Sequence, residues 1–168
     1  FCVCISLISD NLPILGIIYS PISKDFYYSF KNNGAFILKE NSNPRKIISQ
    51  KMSKTNPNKI FTSSSIREKV LEVLAGSIIN YEFIKKSSAL KFGNIASGAG
   101  CFYPRLGPTH EWDTAAGQIL VEEAGGIVVD KFMRPLRYNK NKIFLNKEFF
   151  VISDPDYDWE PIVNAIFE

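Results

Sequence analysis

The stretch "LGPTHEWDTAAGQILVEEAGG", residues 106–126, sets the reading of the whole chain. Ala116, Ile119, Leu120 and Ala124 fall on one stripe at helical spacing, and Gly125–Gly126 ends the run as C-terminal glycines do. Asp113 therefore stands at the helix start. An aspartate there can cap the first turn and gain from the helix dipole, or it can be a carboxylate held for a ligand. Local chemistry alone favours the cap. The small residues Thr114, Ala115, Ala116 and Gly117 let a backbone or a ligand approach the first turn, and Trp112 can pack that turn in place.

Working outward, residues 1–39 read as a meander of about four strands: "VCISLIS", "PILGIIYS", "DFYYSF" and "GAFILK". They are separated by "DN", "PISK" and "KNNG", the residue types that short antiparallel connections need. Residues 41–58 turn to Asn, Ser, Lys and Pro, with one apolar island at Ile47–Ile48, and read as a linker or excursion. From 59 onward strands and helices alternate: "KIFTSS", "REKVLEVLAG", "YEFIK", "ALKFGNIASG", "GCFYPR", then the opening stretch, "GIVVD", "FFVIS" and a closing helix in "DWEPIVNAIF". That alternation predicts an α/β layered domain, with functional groups at loops beyond strand ends and at helix starts.

Composition narrows the function classes. With 168 residues, 45% of them hydrophobic, the chain can bury a real core. A net charge of +3 from 20 basic and 17 acidic residues is too mild and mixed for a nucleic-acid polymer as partner, whereas a small anionic substrate fits. No apolar run approaches a membrane span, and no basic leader precedes an apolar core. Phe1 is not a methionine and already lies in a strand pattern, so the chain is expected to be part of a longer polypeptide. Cys2 and Cys4 share one face of a strand and read as buried free thiols. Cys101 and His110, the one histidine, lack the paired spacing of a zinc set. The expected compartment is a reducing cytoplasm, with peripheral attachment at an inner membrane compatible with it.

Other residues admit two readings each. Lys91, beside Ser87 and Ser88 at a helix start, can hold a phosphate or can be a solvated lysine on a capped helix. Ser63 and Ser65 in "FTSSSIRE" can face a substrate or cap the helix that follows. Arg105 ends a strand before a Gly-Pro turn, where a fixed guanidinium can read a phosphate bidentately or simply sit on the surface. Thr109 lies in the same turn. Nothing nearby orients His110, which reads as a loop residue.

The "WDxAA…EAGG" arrangement of residues 112–126 resembles the signature of the inositol monophosphatase superfamily, a group of magnesium-dependent phosphatases. "PILGIIYSP" and "YYSFKNNGAF" resemble the strand pair that follows its metal-binding region. "SSALKFGNIASG", "YPRLGPTHEWDTAAG" and "FLNKEFFVIS" are similar to the bacterial 3′(2′),5′-bisphosphate nucleotidase branch. The resemblance implies an α/β layered sandwich of the inositol monophosphatase and sugar phosphatase type, an antiparallel meander followed by an alternating α/β domain. In it residues 1–40 end an N-terminal domain and residues 59–168 form the C-terminal one.

The same resemblance implies Mg2+ as cofactor and hydrolysis of adenosine 3′,5′-bisphosphate to AMP and phosphate by a monomer or homodimer. Asp113 becomes a metal ligand, and Ser88, Lys91, Arg105, Ser63, Ser65 and Thr109 become substrate contacts. Ile66 stands where relatives commonly carry a histidine, and Ala89 where close ones repeat serine. The family's other metal carboxylates come from a Glu-Glu pair and an Asp-Pro-Leu-Asp-Gly-Thr segment that belong ahead of Phe1, so the chain alone is expected to turn over little. Two alternatives stand beside this reading: an inositol or sugar monophosphatase of the same superfamily, and a non-catalytic nucleotide-binding remnant.

Overall fold

The computed structural model describes residues 1–140 and 142–168. Five antiparallel strands form the first sheet in sequence order: β1 (Val3–Ser9), β2 (Leu12–Tyr19), β3 (Phe26–Phe30), β4 (Gly34–Leu38) and β5 (Arg45–Ile47). Asp10 and Asn11, both with positive φ, make the two-residue turn between β1 and β2. The fifth strand lies inside the stretch expected as a linker. It is three residues long and turns only Ile47, 2% exposed, into the core, so its sequence carries no alternation to read.

Five further strands form a second, mixed sheet. It combines β6 (Asn58–Thr62), β7 (Tyr81–Lys85), β8 (Phe102–Arg105), β10 (Ile127–Val129) and β12 (Phe149–Ile152). Strand β6 runs parallel to β7 and β8, while β12 pairs antiparallel with β8 and β10. Two-residue strands β9 (Thr109–His110) and β11 (Leu145–Asn146) form a small ladder that the sequence pattern did not reveal. His110 thus sits in a strand, with its ring stacked on Trp112.

Helices α2 (Leu90–Ala96) and α3 (Ala115–Glu123) lie between the sheets. Their layer joins Ile18, Tyr27, Ala35 and Ile47 of the first sheet to Tyr103, Val128, Phe149 and Val151 of the second in one buried cluster. Helices α1 (Glu68–Ser77) and α4 (Glu160–Ala165) cover the other face of the second sheet through Val70, Leu74, Ile162 and Val163. Fully burying such a side chain contributes about 1.5–3 kcal/mol. None of the described helices is long and apolar enough to cross a membrane.

Sandwiching explains why α3 is buried from Ala115 through Val121, on more than the one stripe its spacing suggests. The small residues of its first turns serve packing against protein. A Cβ added to Gly16 of β2 would lie 2.5 Å from both the Ala116 carbonyl oxygen and a methyl of Ile119, and one on Gly117 would collide with the Phe92 ring. Glu123, in the "EAGG" stretch, accepts hydrogen bonds from the amides of Asn32 and Gly34 at 2.7 Å each, which ties the β3–β4 turn to the helix end.

Candidate active site

The loop between β9 and α3 is a single 3-10 turn, Glu111–Asp113, locked from below. The Thr114 hydroxyl donates to the Glu111 carbonyl at 3.1 Å and accepts from Asn146 Nδ2 at 2.7 Å. The Glu111 carboxylate accepts from the Asn139 amide at 2.7 Å. Thr114 occupies the cap position of α3, yet no side chain caps that helix. The helix-cap role considered for Asp113 is therefore corrected: it ends the preceding turn, its side chain is exposed, and among the described residues its carboxylate accepts no hydrogen bond. Trp112, expected to pack the turn, is 60% exposed.

Asp113 opens into a cavity of about 510 Å3, whose wall also includes Ser88, Lys91, Arg105 and Thr109. Ser88 and Lys91 come from the start of α2, Arg105 from the end of β8 and Thr109 from β9, so segments distant in sequence meet on one wall. Ser63 and Ser65 do not reach this cavity. They line an adjoining one of about 330 Å3 whose wall shares Ser88, Lys91 and Arg105. Their expected role as helix caps is also corrected, because α1 starts after Arg67 and has no side-chain cap. Ser63 Oγ and Ser65 Oγ lie 3.4 Å apart.

Lys91 is the least ordinary residue of the site. It is 4% exposed, so the reading as a solvated lysine fails. Its ammonium donates to the Lys86 carbonyl at 3.0 Å and lies 4.4 Å from the centre of the Tyr103 ring. Among the described residues it forms no ion pair, and neither does Arg105, whose Nε reaches Thr109 Oγ1 at 3.3 Å. Burial first, then the charges of Arg105 and Lys86, bring the Lys91 pKa down from 10.5 to about 8, against an opposing effect of Cys2. An unpaired ammonium beside a guanidinium in a recessed wall is the electrostatic inverse of an anion.

A protein-family model for the inositol monophosphatase family matches residues 1–154. The chain belongs to that family. Over 166 residues it is 34% identical to the 3′(2′),5′-bisphosphate nucleotidase CysQ of Aggregatibacter actinomycetemcomitans, covering 98% of this chain and 61% of that protein. The corresponding enzyme of Haemophilus influenzae is 33% identical over 96% of this chain and 60% of its own length. The chain thus spans about three-fifths of these curated relatives. Among solved structures, CysQ from Bacteroides thetaiotaomicron superposes with a TM-score of 0.79 at 28% identity, over 92% of this chain and 63% of that one. An inositol monophosphatase from Zymomonas mobilis, at 23% identity and a TM-score of 0.77 over the full chain and 63% of its own, shares the fold. The α/β layered sandwich is thereby shown.

Magnesium, the ion associated with this family, asks for near-octahedral oxygen ligation, usually one or two carboxylates with water and substrate phosphate. Among the described residues no three of His, Cys, Asp and Glu gather as ligands, and Asp113 is the one carboxylate on the cavity wall. The residues present do not by themselves fit this ion. Cys2 and Cys4, expected to be buried, are half-buried and line the same wall; Cys101 is fully buried in the core. Sequence reasoning placed the two thiols on one strand face but had no signal that this face borders the cavity.

Proposed function

We propose that the whole protein, of which this chain matches about three-fifths of each relative's length, is a phosphoric monoester hydrolase. Its substrate is adenosine 3′,5′-bisphosphate, cleaved at the 3′-phosphate. The observation that carries this reading is the buried Lys91, without an ion-pair partner among the described residues, beside Arg105 on the wall of the cavity that Asp113 also lines. The names of the nucleotidase relatives support the choice of substrate. In the same reading residues 1–40 complete an N-terminal domain, residues 41–58 connect while adding β5 to its sheet, and residues 59–168 form the C-terminal domain.

In this account Lys91 and Arg105 hold phosphate oxygens, the lysine as a point charge and the arginine as a planar fork. Ser88 and Thr109 add hydroxyl contacts, and Ser63 and Ser65 meet the rest of the nucleotide in the adjoining cavity. Charged hydrogen bonds of this kind contribute about 1.5–3 kcal/mol each. Asp113 would help to hold a Mg2+ ion, which would supply charge neutralisation at the phosphate, together with carboxylates from the part of the relatives' length that this chain does not span. Arg105 and Lys91 repel each other until an anion arrives, so part of the cost of burying Lys91 is recovered on binding. Between pH 8 and 10.5 the unfolded chain holds the Lys91 proton that the folded one releases. Burial of Lys91 therefore costs stability most fully below pH 8, and the cost fades as pH rises toward 10.5.

The sign for binding is opposite. Lys91 carries its charge below a pKa of about 8 and loses it above. A phosphate monoester is a dianion above about pH 6. KM for the nucleotide is therefore expected to be lowest between these values and to rise above pH 8, with bound phosphate moving the turn upward. In Lys91→Arg the charge persists throughout this range, so KM should stay flat. Steady-state kinetics from pH 6.5 to 9.5 check this. A wild-type KM as flat as that of the variant removes Lys91 from phosphate binding.

A further inference from the structure

Three strands of the second sheet run the same way, and their carboxyl ends open on one recess. Strand β6 is parallel to β7, with Thr62 opposite Lys85, and parallel to β8. In sheets of this kind ligands bind in the crevice beyond such strand ends. The serines of residues 63–65 follow β6, Lys86 follows β7, and Arg105 ends β8. With Lys85, Lys91 and two more serines they make the wall of the adjoining cavity of about 330 Å3.

Four cations and five hydroxyl side chains thus line that recess, and no carboxylate stands among them. Lys91 and Arg105 also belong to the Asp113 cavity, whereas Lys85 and Lys86 line only the adjoining one. Among the described residues neither Lys85 nor Lys86 forms an ion pair. Lys86 is nevertheless held in place. Its Nζ donates to Asn94 Oδ1 at 3.0 Å and lies 5.8 Å from the centre of the Phe61 ring, and its carbonyl accepts from Lys91. Positive charge gathered without a counter-charge is the complement of an anion, and these two cations stand beyond the pair that a single 5′-phosphate already meets in Lys91 and Arg105.

The two cavities set an order along the ligand. On the reading above, the 3′-phosphate stands at Asp113, and the first phosphate of the 5′ end meets Lys91 and Arg105, which both cavities share. Any group attached beyond it enters the recess of Lys85 and Lys86. A terminal phosphate carries nearly two charges at neutral pH and so matches two ammonium groups, whereas a singly charged end leaves one unmatched. We propose that Lys85 and Lys86 form a subsite for the terminal phosphate of a 5′-diphosphate, so that a nucleoside 3′-phosphate 5′-diphosphate binds more tightly than the 3′,5′-bisphosphate. This inference rests on the nucleotide reading and deepens it at the 5′ end of the same ligand.

Binding is measured on the whole protein by titration calorimetry, with a chelator present so that no metal supports turnover. The probes are adenosine 3′-phosphate 5′-diphosphate and adenosine 3′,5′-bisphosphate, at one pH and ionic strength. The diphosphate should bind at least about tenfold more tightly, the scale of one charged contact. In the Lys85→Gln/Lys86→Gln double variant that ratio should fall to within about twofold, while Lys69→Gln, in α1 and outside both cavities, should keep it. Circular dichroism verifies the fold of each variant. Lys85→Gln alone, at an exposed residue, carries the test where the double variant misfolds, and it should lower the ratio by at least about threefold. Equal affinities in the parent, or a ratio that survives in these variants, would overturn the subsite and leave the nucleotide reading standing. No binding of either nucleotide would overturn both.

Discussion

Asp113→Asn in the whole protein should lower kcat/KM for adenosine 3′,5′-bisphosphate by at least about a hundredfold, the several kcal/mol of charge stabilisation associated with a metal site. It should shift Tm by no more than about 2 °C, as for an exposed substitution that breaks no contact. Capping cannot account for such a result. The Asp113 carboxylate accepts no hydrogen bond among the described residues, and the start of α3 carries no side-chain cap. Asn keeps the size and polarity of the side chain and loses only its charge. Kinetics at graded Mg2+, with a thermal melt of both proteins, separate the outcomes. Unchanged turnover with unchanged magnesium dependence would leave Asp113 as a bystander on the cavity wall.

Lys91→Met should have the second-largest effect, and it should move activity and stability in different directions. Removing a buried ammonium relieves a desolvation cost, while methionine keeps most of the apolar stem in contact with Tyr103, so Tm below pH 8 should not fall. Loss of a charged hydrogen bond of about 1.5–3 kcal/mol should lower kcat/KM for the bisphosphate about ten- to a hundredfold. A simple monophosphate, lacking the second phosphate, should lose much less. Both substrates are compared at one ionic strength, since screening imitates a lost contact. An equal loss for both would assign Lys91 to the common reaction centre, and no loss for either would remove it from the site.

The parts of this fold that were legible in the sequence are those built on local periodicity. Strands β1 to β4 announce themselves by alternation between turn residues, and α3 by its apolar spacing and its terminal glycines. What escaped depends on partners distant in the chain. Strand β5 has one inward residue, Ile47, and exists because β4 offers an edge. The β9–β11 ladder pairs His110 with Leu145, a contact with no local signature. The same division applies to the site. The position of Asp113 at the mouth of α3 could be read, because turn chemistry and helix pattern meet there. The burial of Lys91 could not, since a lysine in the first turn of a short helix becomes interior only when Tyr103 and the Lys86 carbonyl are brought against it. Ser63 and Ser65 had the composition of a cap but lie ahead of Arg67, which holds the cap position of α1.

In the proposed reading Lys91, Arg105 and Asp113 line a pocket for a nucleotide bisphosphate rather than for a sugar monophosphate. The most direct test is kcat/KM of the whole protein for adenosine 3′,5′-bisphosphate and for inositol 1-phosphate, at the same pH, Mg2+ and ionic strength. A preference for the nucleotide of at least about tenfold is expected, the lower bound set by one additional charged contact. Equal values, or a preference for the inositol phosphate, would contradict it.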